Sequence, residues 1–218
     1  MTRERVLQKA LALADEGGIE SLTMRKLGDE LGVEAMSLYN HVEGKDDVLR
    51  GILDLVLAEA EPPTAGPDWA AAARAHAISF HDALQRHRWA SALLMSPAHV
   101  TPARVDHVEA LLRLLREAGF SADQAYHAYH ALAGHIYGFS LWESGHAATS
   151  DELAAAGADV VRRIPLEAYP YVAEHYEQHV SGGPRDGVRA FELALDLILD
   201  GLKRTTKPAT RRRPRSRG

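Results

Sequence analysis

The sequence predicts an all-α chain in which a small N-terminal three-helix unit is followed by a larger helical body, and three observations carry that expectation. Apolar residues recur at helical spacing along almost the whole length, and no segment shows a convincing two-residue alternation. The stretch EPPTAGPD, residues 61–68, places three prolines and a glycine where a helix must break. Ahead of it, LTMRKLGDELGVEAMSLYNHV, residues 22–42, reads as two short amphipathic helices pinched around one glycine.

The elements follow in order. Thr2 is suited to cap a first helix whose stripe, Leu7, Leu11, Ala14 and Ile19, ends at Gly17 and Gly18. Thr23 caps a second helix that turns Leu27 and Leu31 inward, and Gly32 supplies the positive φ of a tight turn. A third helix is expected from about Glu34 to His41, with Leu38 and Val42 on its buried side. The fourth starts near Lys45, with Asp46 and Asp47 at the positive end of its dipole, and carries the stripe Val48, Leu49, Ile52, Leu55 and Val56 to about Ala60. In the body, helices are expected near 69–88, 89–95, 103–118, 122–144, 166–180 and 187–204. The longest is marked by a Ser121/Gln124 capping box and by Gly145 at its exit. These boundaries divide the chain into an N-terminal unit, 1–61, a body, 69–204, and a tail, 205–218.

Composition narrows the function classes. A chain of 218 residues can bury a substantial core. It holds no cysteine, which excludes disulfides and thiolate metal sites and fits a reducing compartment. There is no signal-peptide pattern and no apolar run of membrane-spanning length, so a soluble, cytoplasmic protein without a membrane partner is expected. The net charge of -5 conceals an asymmetry: KRTTKPATRRRPRSRG, the last sixteen residues, has eight basic residues and no acid, leaving 17 basic against 30 acidic residues elsewhere. From Lys207 on, too little apolar surface exists to offset ordering, so a disordered tail is expected, either a nonspecific phosphate-binding arm or a solubilising terminus.

Helix, glycine turn and helix is the sequence form of a helix-turn-helix, whose second helix enters the DNA major groove. With Leu38 and Val42 facing inward, helical geometry turns Ala35, Met36, Ser37, Tyr39 and Asn40 outward. Asn40 can pair with adenine, Ser37 can donate or accept, and Ala35 and Met36 can touch a thymine methyl. Tyr39, His41 and Lys45 can bind phosphates and fix the docking register. Residues 1–60 nevertheless hold seven Lys or Arg against twelve Asp or Glu, so attraction to DNA must be local and centred on Arg25, Lys26 and Lys45.

LTMRKLGDELGV, SLYNHV and GKDDVL together resemble the N-terminal domain of the TetR family of bacterial transcriptional repressors. That resemblance implies double-stranded DNA as partner, a palindromic operator and a homodimer, with Thr23, Met24 and Arg25 approaching the backbone or groove edge. The body resembles the family's ligand-binding and dimerisation domain, and GFSADQAYHAYHALAGHIYGFSLWESG leans toward the tetracycline-repressor branch. An unknown small-molecule effector is thereby implied.

In the long helix, Tyr126, His130, Ala133, Tyr137 and Leu141 fall on one stripe, while His127, Gly134, Gly138 and Trp142 fall on a neighbouring one. Such a set can line a ligand cavity or pack as core with satisfied hydroxyls. Tyr126, His130, Tyr137 and Trp142 are the candidates from the pattern, and His135 and Glu143 come from the resemblance. The last helix shows an apolar stripe of Val188, Phe191, Leu195, Ile198, Leu199 and Leu202, core in a monomer. The resemblance implies that it forms a four-helix dimer interface with the 122–144 helix. The segment HAATSDELAAAGADVVRRIP, 146–165, is expected to be a mobile loop with a short helix near the pocket entrance. The twelve histidines show no HExxH and no compact ligand cluster, so neither metal nor cofactor is expected. No nucleophile elbow, phosphate loop or dinucleotide fingerprint appears. The alternatives are an unrecognised all-helical enzyme and a DNA-binding scaffold without effector.

Overall fold

The computed structural model describes residues 1–64, 66–145, 166–180 and 187–206, and no strand occurs among them. The segment 146–165 and the tail from 207, with the loop and the disordered arm expected there, lie outside the described residues.

Helix α1, Arg3–Gly17, begins where the Thr2 side chain accepts the Arg5 N–H and ends as Gly18 adopts φ 74°. It buries Val6, Ala10, Leu13 and Ala14. Helix α2, Met24–Leu31, is capped by Thr23, which accepts the Lys26 N–H, and Gly32 closes it in the left-handed region at φ 71°. Helix α3 is shorter than expected, Ala35–Leu38. Tyr39, Asn40 and His41 continue as a turn in which the His41 and Val42 N–H groups both donate to the Leu38 carbonyl, at 2.8 and 3.0 Å. Helix α4 spans Lys45–Ala58.

The body comprises α5 (Trp69–Arg86), α6 (Ala90–Leu94), α7 (Pro102–Glu117), α8 (Ala122–Gly145), α9 (Pro170–Val180) and α10 (Gly187–Thr206). Asp68 caps α5 by accepting the Ala70 and Ala71 N–H groups. The expected capping box starts α8: Gln124 Oε1 accepts the Ser121 N–H and Ser121 Oγ accepts the Gln124 N–H. Helix α10 runs through Thr205 and Thr206, past the expected start of the tail.

Two cores share one helix. Val48, Leu49 and Ile52 of α4 complete the headpiece core with Val6, Ala10, Leu22, Leu27, Leu38 and Val42. One turn later, Leu53, Val56 and Leu57 enter the body core with Phe80, Leu84, Leu115, Phe120, Leu132 and Phe191. Since each fully buried aliphatic side chain contributes about 1.5–3 kcal/mol, α4 cannot rotate or slide without disturbing both cores.

Candidate DNA interface, effector cavity and dimer face

The reading surface is built around one close approach and one pivot. A Cβ on Gly28 would lie 2.9 Å from the Val33 carbonyl and 3.1 Å from the Ala35 N, so only glycine lets α3 lie this close on α2. Leu38, 0 % exposed, is the pivot, and Val42 backs it in the headpiece core. The side chains between them therefore face outward: Met36 is 74 % exposed and Tyr39 and Asn40 are exposed, while Ala35, Ser37 and His41 are half-buried. Arg25 and Lys45 are exposed. Thr23 is exposed but its Oγ1 is engaged by the Lys26 N–H, and Met24 packs partly on the headpiece core.

Two arginines that the sequence reading passed over join this surface. Arg3 shares a shallow groove with Tyr39, Asn40 and His41, and Arg50 lies beside Lys45 in the neighbouring depression. Arg3 donates through both terminal nitrogens to Asp47, at 2.6 and 2.9 Å, and Asp47 also accepts the Glu43 N–H at 3.0 Å. The hydrogen bond from Arg3 is the main cause that holds the Asp47 carboxyl below its usual range, and burial opposes it. Arg3 thus offsets one acid of an acidic patch at the edge of the reading surface and ties α1 to α4. No signal in the local sequence marks this pair, which is separated by 44 positions.

In the body, α5, α7 and α8 enclose a cavity of about 20 Å³ lined by His76, Phe80, His107, Val108, Leu111, Tyr129, Ala133, Ile136 and Tyr137. Its rings are in mutual contact, His76 with His107 at 5.7 Å and Phe80 with Tyr137 at 5.6 Å between centroids. The volume suits one water and no ligand. Burial lowers the pKa of both His76 and His107, and it raises the Tyr129 hydroxyl and pushes that of Tyr137 up to about 12. The lining is therefore uncharged at neutral pH. His76 Nδ1 donates to the Glu61 carbonyl at 2.8 Å, and His107 Nε2 donates to the Leu57 carbonyl at 3.0 Å. A neutral His107 that donates from Nε2 keeps a lone pair at Nδ1, which is buried without a partner. His107 also lines an open cleft of about 380 Å³ with Leu57, Ala60, Pro62, Ala103 and Asp106, so it stands between cleft and cavity.

Of the six residues expected at the ligand, Tyr137 lines this cavity. Tyr126, His130 and Trp142 are exposed on the outer side of α8, away from this cavity: the inner side of that helix is taken by Ala125, Ala128, Leu132 and Ile136. His135 and Glu143 are held elsewhere. His135 Nε2 donates to the Phe191 carbonyl and stacks on the Phe191 ring at 4.6 Å, and Glu143 accepts from His81 at 2.7 Å and from Gln85. His76 and Phe80, four apart on α5, were legible as a helical pair and were missed.

The stripe expected at the dimer face packs mostly within its own chain. Phe191 and Leu195 are 0 % exposed within the single chain, Leu199 is buried, and Ile198 and Leu202 pack partly against the same core. Phe191, Leu195 and Leu199 thus offer almost no surface to a partner, while Ile198 and Leu202 stay partly exposed. Val188 lies on α10, but its side chain falls outside the described ones. The apolar residues of α10 that do face outward are Leu193 and Leu197, 64 % and 68 % exposed. On α8 the outward set is Tyr126, His130, Gly134, Gly138 and Leu141, and nothing lies within 4 Å of a Cβ built on either glycine. Arg74 of α5 fixes the orientation of α10 by donating to Asp196 at 2.7 Å and to Glu192.

Among the described residues no group of three or more His, Asp or Glu is placed to hold a metal, and no helix is long and apolar enough to cross a membrane. Residues 6–52 match the family model "Bacterial regulatory proteins, tetR family", and residues 61–206 match "Tetracyclin repressor-like, C-terminal domain". The tetracycline repressor protein class D of Escherichia coli is 32% identical over 203 residues, covering 91% of this chain and 93% of that protein. The transcriptional repressor DrrR1 of Streptomyces coeruleorubidus is 34% identical over 213 residues, covering 93% and 77%. Streptomyces coelicolor ActR, solved in complex with actinorhodin, superimposes with a TM-score of 0.76 at 25% identity over 96% of this chain and 99% of that one.

Proposed function

Because this chain belongs to the TetR family of bacterial transcriptional regulators, we propose that it is a dimeric repressor, released from a palindromic operator by an uncharged, hydroxylated aromatic effector. It is a DNA-binding regulator, not an enzyme. Met36, Tyr39 and Asn40 read the major groove, with Ala35 and Ser37 beside them. Arg25, His41 and Lys45 hold phosphates, and Thr23 and Met24 border the groove. Two headpieces on a two-fold dimer present their α3 segments to half-sites one helical turn apart, about 34 Å. A cytoplasmic location follows from that substrate.

The observation that carries the release mechanism is the double engagement of His107. It lines the closed cavity and the open cleft, and it holds the Leu57 carbonyl in the last turn of α4. A cavity of about 20 Å³ admits an effector only by opening toward the cleft, and opening displaces His107. The Leu57 carbonyl then loses its imidazole donor and keeps only backbone N–H partners, and α4, which is packed into both cores, shifts the headpiece. The rings favour a flat apolar body, and the unpartnered His107 Nδ1 favours a hydroxyl donor on it. Actinorhodin, the ligand named for one solved relative, Streptomyces coelicolor ActR, is a polycyclic aromatic compound that carries hydroxyl groups.

The test begins with duplexes selected from a randomised DNA pool, whose enrichment for a palindrome defines the operator. Aromatic phenols are then screened for loss of operator affinity. Linkage requires that any such compound bind the operator complex more weakly than the free protein, by the same factor. His107→Phe keeps the ring and removes the N–H, so it lowers operator affinity without effector and blunts the response to it. Equal effector affinity for free and operator-bound protein, or an unaltered His107→Phe response, overturns the mechanism. A protein that binds its palindrome but answers to no compound is the effector-free scaffold.

A further inference from the structure

A second tie between headpiece and body lies away from the cavity, at the C-terminal end of α5. His87 is 6 % exposed and sits between two carboxylates: its Nδ1 is 2.8 Å from Asp15 Oδ1 of α1, and its Nε2 is 2.9 Å from Glu59 Oε1 at the end of α4. A carboxylate only accepts, and only the imidazolium has an N–H on both nitrogens. Neutral imidazole would set one ring lone pair against a carboxylate oxygen. From this geometry we propose that His87 is a positioning residue for operator binding, which holds the headpiece on the body as an imidazolium, so that operator affinity depends on its proton.

The surroundings are built for that charge. From α5, Arg86 donates to the other oxygen of Glu59, Oε2, at 2.8 Å, and from the following turn Trp89 Nε1 donates to Asp15 Oδ1 at 2.8 Å. Arg88, next in sequence, is exposed. The ring is fixed from the backbone as well, since the His87 N–H donates to the Ala83 carbonyl and the His87 carbonyl accepts the Ala90 N–H, at 3.1 and 2.8 Å. A cation at this position also lies on the negative end of the α5 dipole. At Glu59, burial raises the carboxyl pKa, but the hydrogen bonds from His87 and Arg86 outweigh it and leave the group below its usual range. Glu59 therefore stays ionised well below neutral pH, and the proton that matters is the one on His87.

The bridge spans parts that must move together for DNA to be read. Asp15 belongs to the helix that packs the headpiece core, Glu59 to the end of the helix shared by both cores, and His87 to the body. With the proton present, α1 and α4 are pinned to α5. Loss of the proton turns one of the two bonds into a repulsion, and the headpiece gains freedom that operator spacing does not tolerate. The sign is fixed: operator affinity is greater on the acid side and falls as pH rises.

The inference rests on the operator-binding reading, so its test includes a readout that needs no DNA. Long-range 1H–15N NMR of the histidine rings, with the His87→Gln spectrum as the assignment control, should show His87 with both nitrogens protonated at pH 6.5. Operator affinity of the full chain is then measured over about pH 5.5 to 8.5. The wild type should weaken about tenfold across that range, as expected for a charge-assisted hydrogen bond. His87→Gln, which can donate to only one carboxylate with neutral geometry, should bind about as weakly as the high-pH wild type and show a flatter profile. Asp15→Asn and Glu59→Gln should each flatten it as well. A singly protonated His87 at pH 6.5, or a His87→Gln profile that follows the wild type, overturns the proposal. Failure of every variant and the wild type to enrich any duplex, with the imidazolium intact by NMR, strikes the operator reading and removes the role of His87 in it.

Discussion

The headpiece and the body are both helical and both closed by aliphatic cores, yet they differ in how their side chains choose a face. In the headpiece, α2 and α3 are so short that burying Leu27 and Leu38 leaves only one orientation for everything else. In the body, α8 is apolar or small on all sides, and both Tyr126–His130 and Leu132–Ile136 have the spacing of an inner stripe. Only packing decides between them, and it puts the aliphatic stripe inside and the aromatic one outside. The lesson extends to α10, where the strongest apolar stripe serves its own chain and a weaker one, Leu193 and Leu197, is left exposed.

The largest expected effect sharpens that contrast. Phe191→Ala removes a ring packed between His81 and His135, at 3.9 and 4.6 Å, and should cost about 3–5 kcal/mol of stability in denaturant unfolding. Leu197→Asp on the opposite face should leave the core intact, and instead weaken self-association roughly 100-fold by analytical ultracentrifugation, as for an interface hot spot. If Phe191→Ala chiefly dissociated the dimer and Leu197→Asp chiefly unfolded the chain, the assignment of the two faces would be reversed.

This contrast also explains what could be read from the sequence. Caps, breaks and turns are local, so Thr2, Thr23, Gly32, the Ser121/Gln124 box and the break at 61–68 fell where the residues placed them. The outward set on α3 was legible because Leu38 fixes it. The cavity was not: its lining comes from α5, α7 and α8, and a pair such as Phe80 and His107 is brought together only by the fold. Likewise Arg3–Asp47 and His87–Asp15 are polar pairs 44 and 72 positions apart, with no periodic signature.

A smaller effect tests the headpiece directly. Gly28→Ala places a methyl against the Val33 carbonyl and the Ala35 backbone, neither of which is a flexible side-chain end. The turn must open, at a cost of about 1–3 kcal/mol in stability. Since that contact sets how closely α3 lies on α2, operator affinity should fall more than stability alone explains when both are measured at a temperature where the variant is fully folded. Wild-type affinity in the Gly28→Ala variant would mean that α3 is positioned by Leu38 and Val42 without the α2 contact.

The smallest effect separates position from charge at the edge of the reading surface. Arg3 is about half exposed, so its bond to Asp47 contributes only about 1 kcal/mol after solvent screening. The Asp47 pKa is depressed in the folded chain, chiefly by Arg3. That contribution is therefore present above the unfolded carboxyl value, about 3.9, and disappears as pH falls through the lower folded value. Asp47→Asn should lose that stability at pH 7, and the difference from wild type should close under acid. DNA binding gives the sharper discrimination, because removing an acid beside Lys45 and His41 should strengthen binding if charge alone governs this patch. If Asp47 instead fixes the turn through Arg3 and the Glu43 N–H, operator affinity should fall while the salt dependence stays that of wild type. Lys45→Ala provides the reference for a phosphate contact, with a salt slope lowered by about one. Tighter operator binding by Asp47→Asn would reduce the Arg3–Asp47 pair to a surface ion pair with no part in reading DNA.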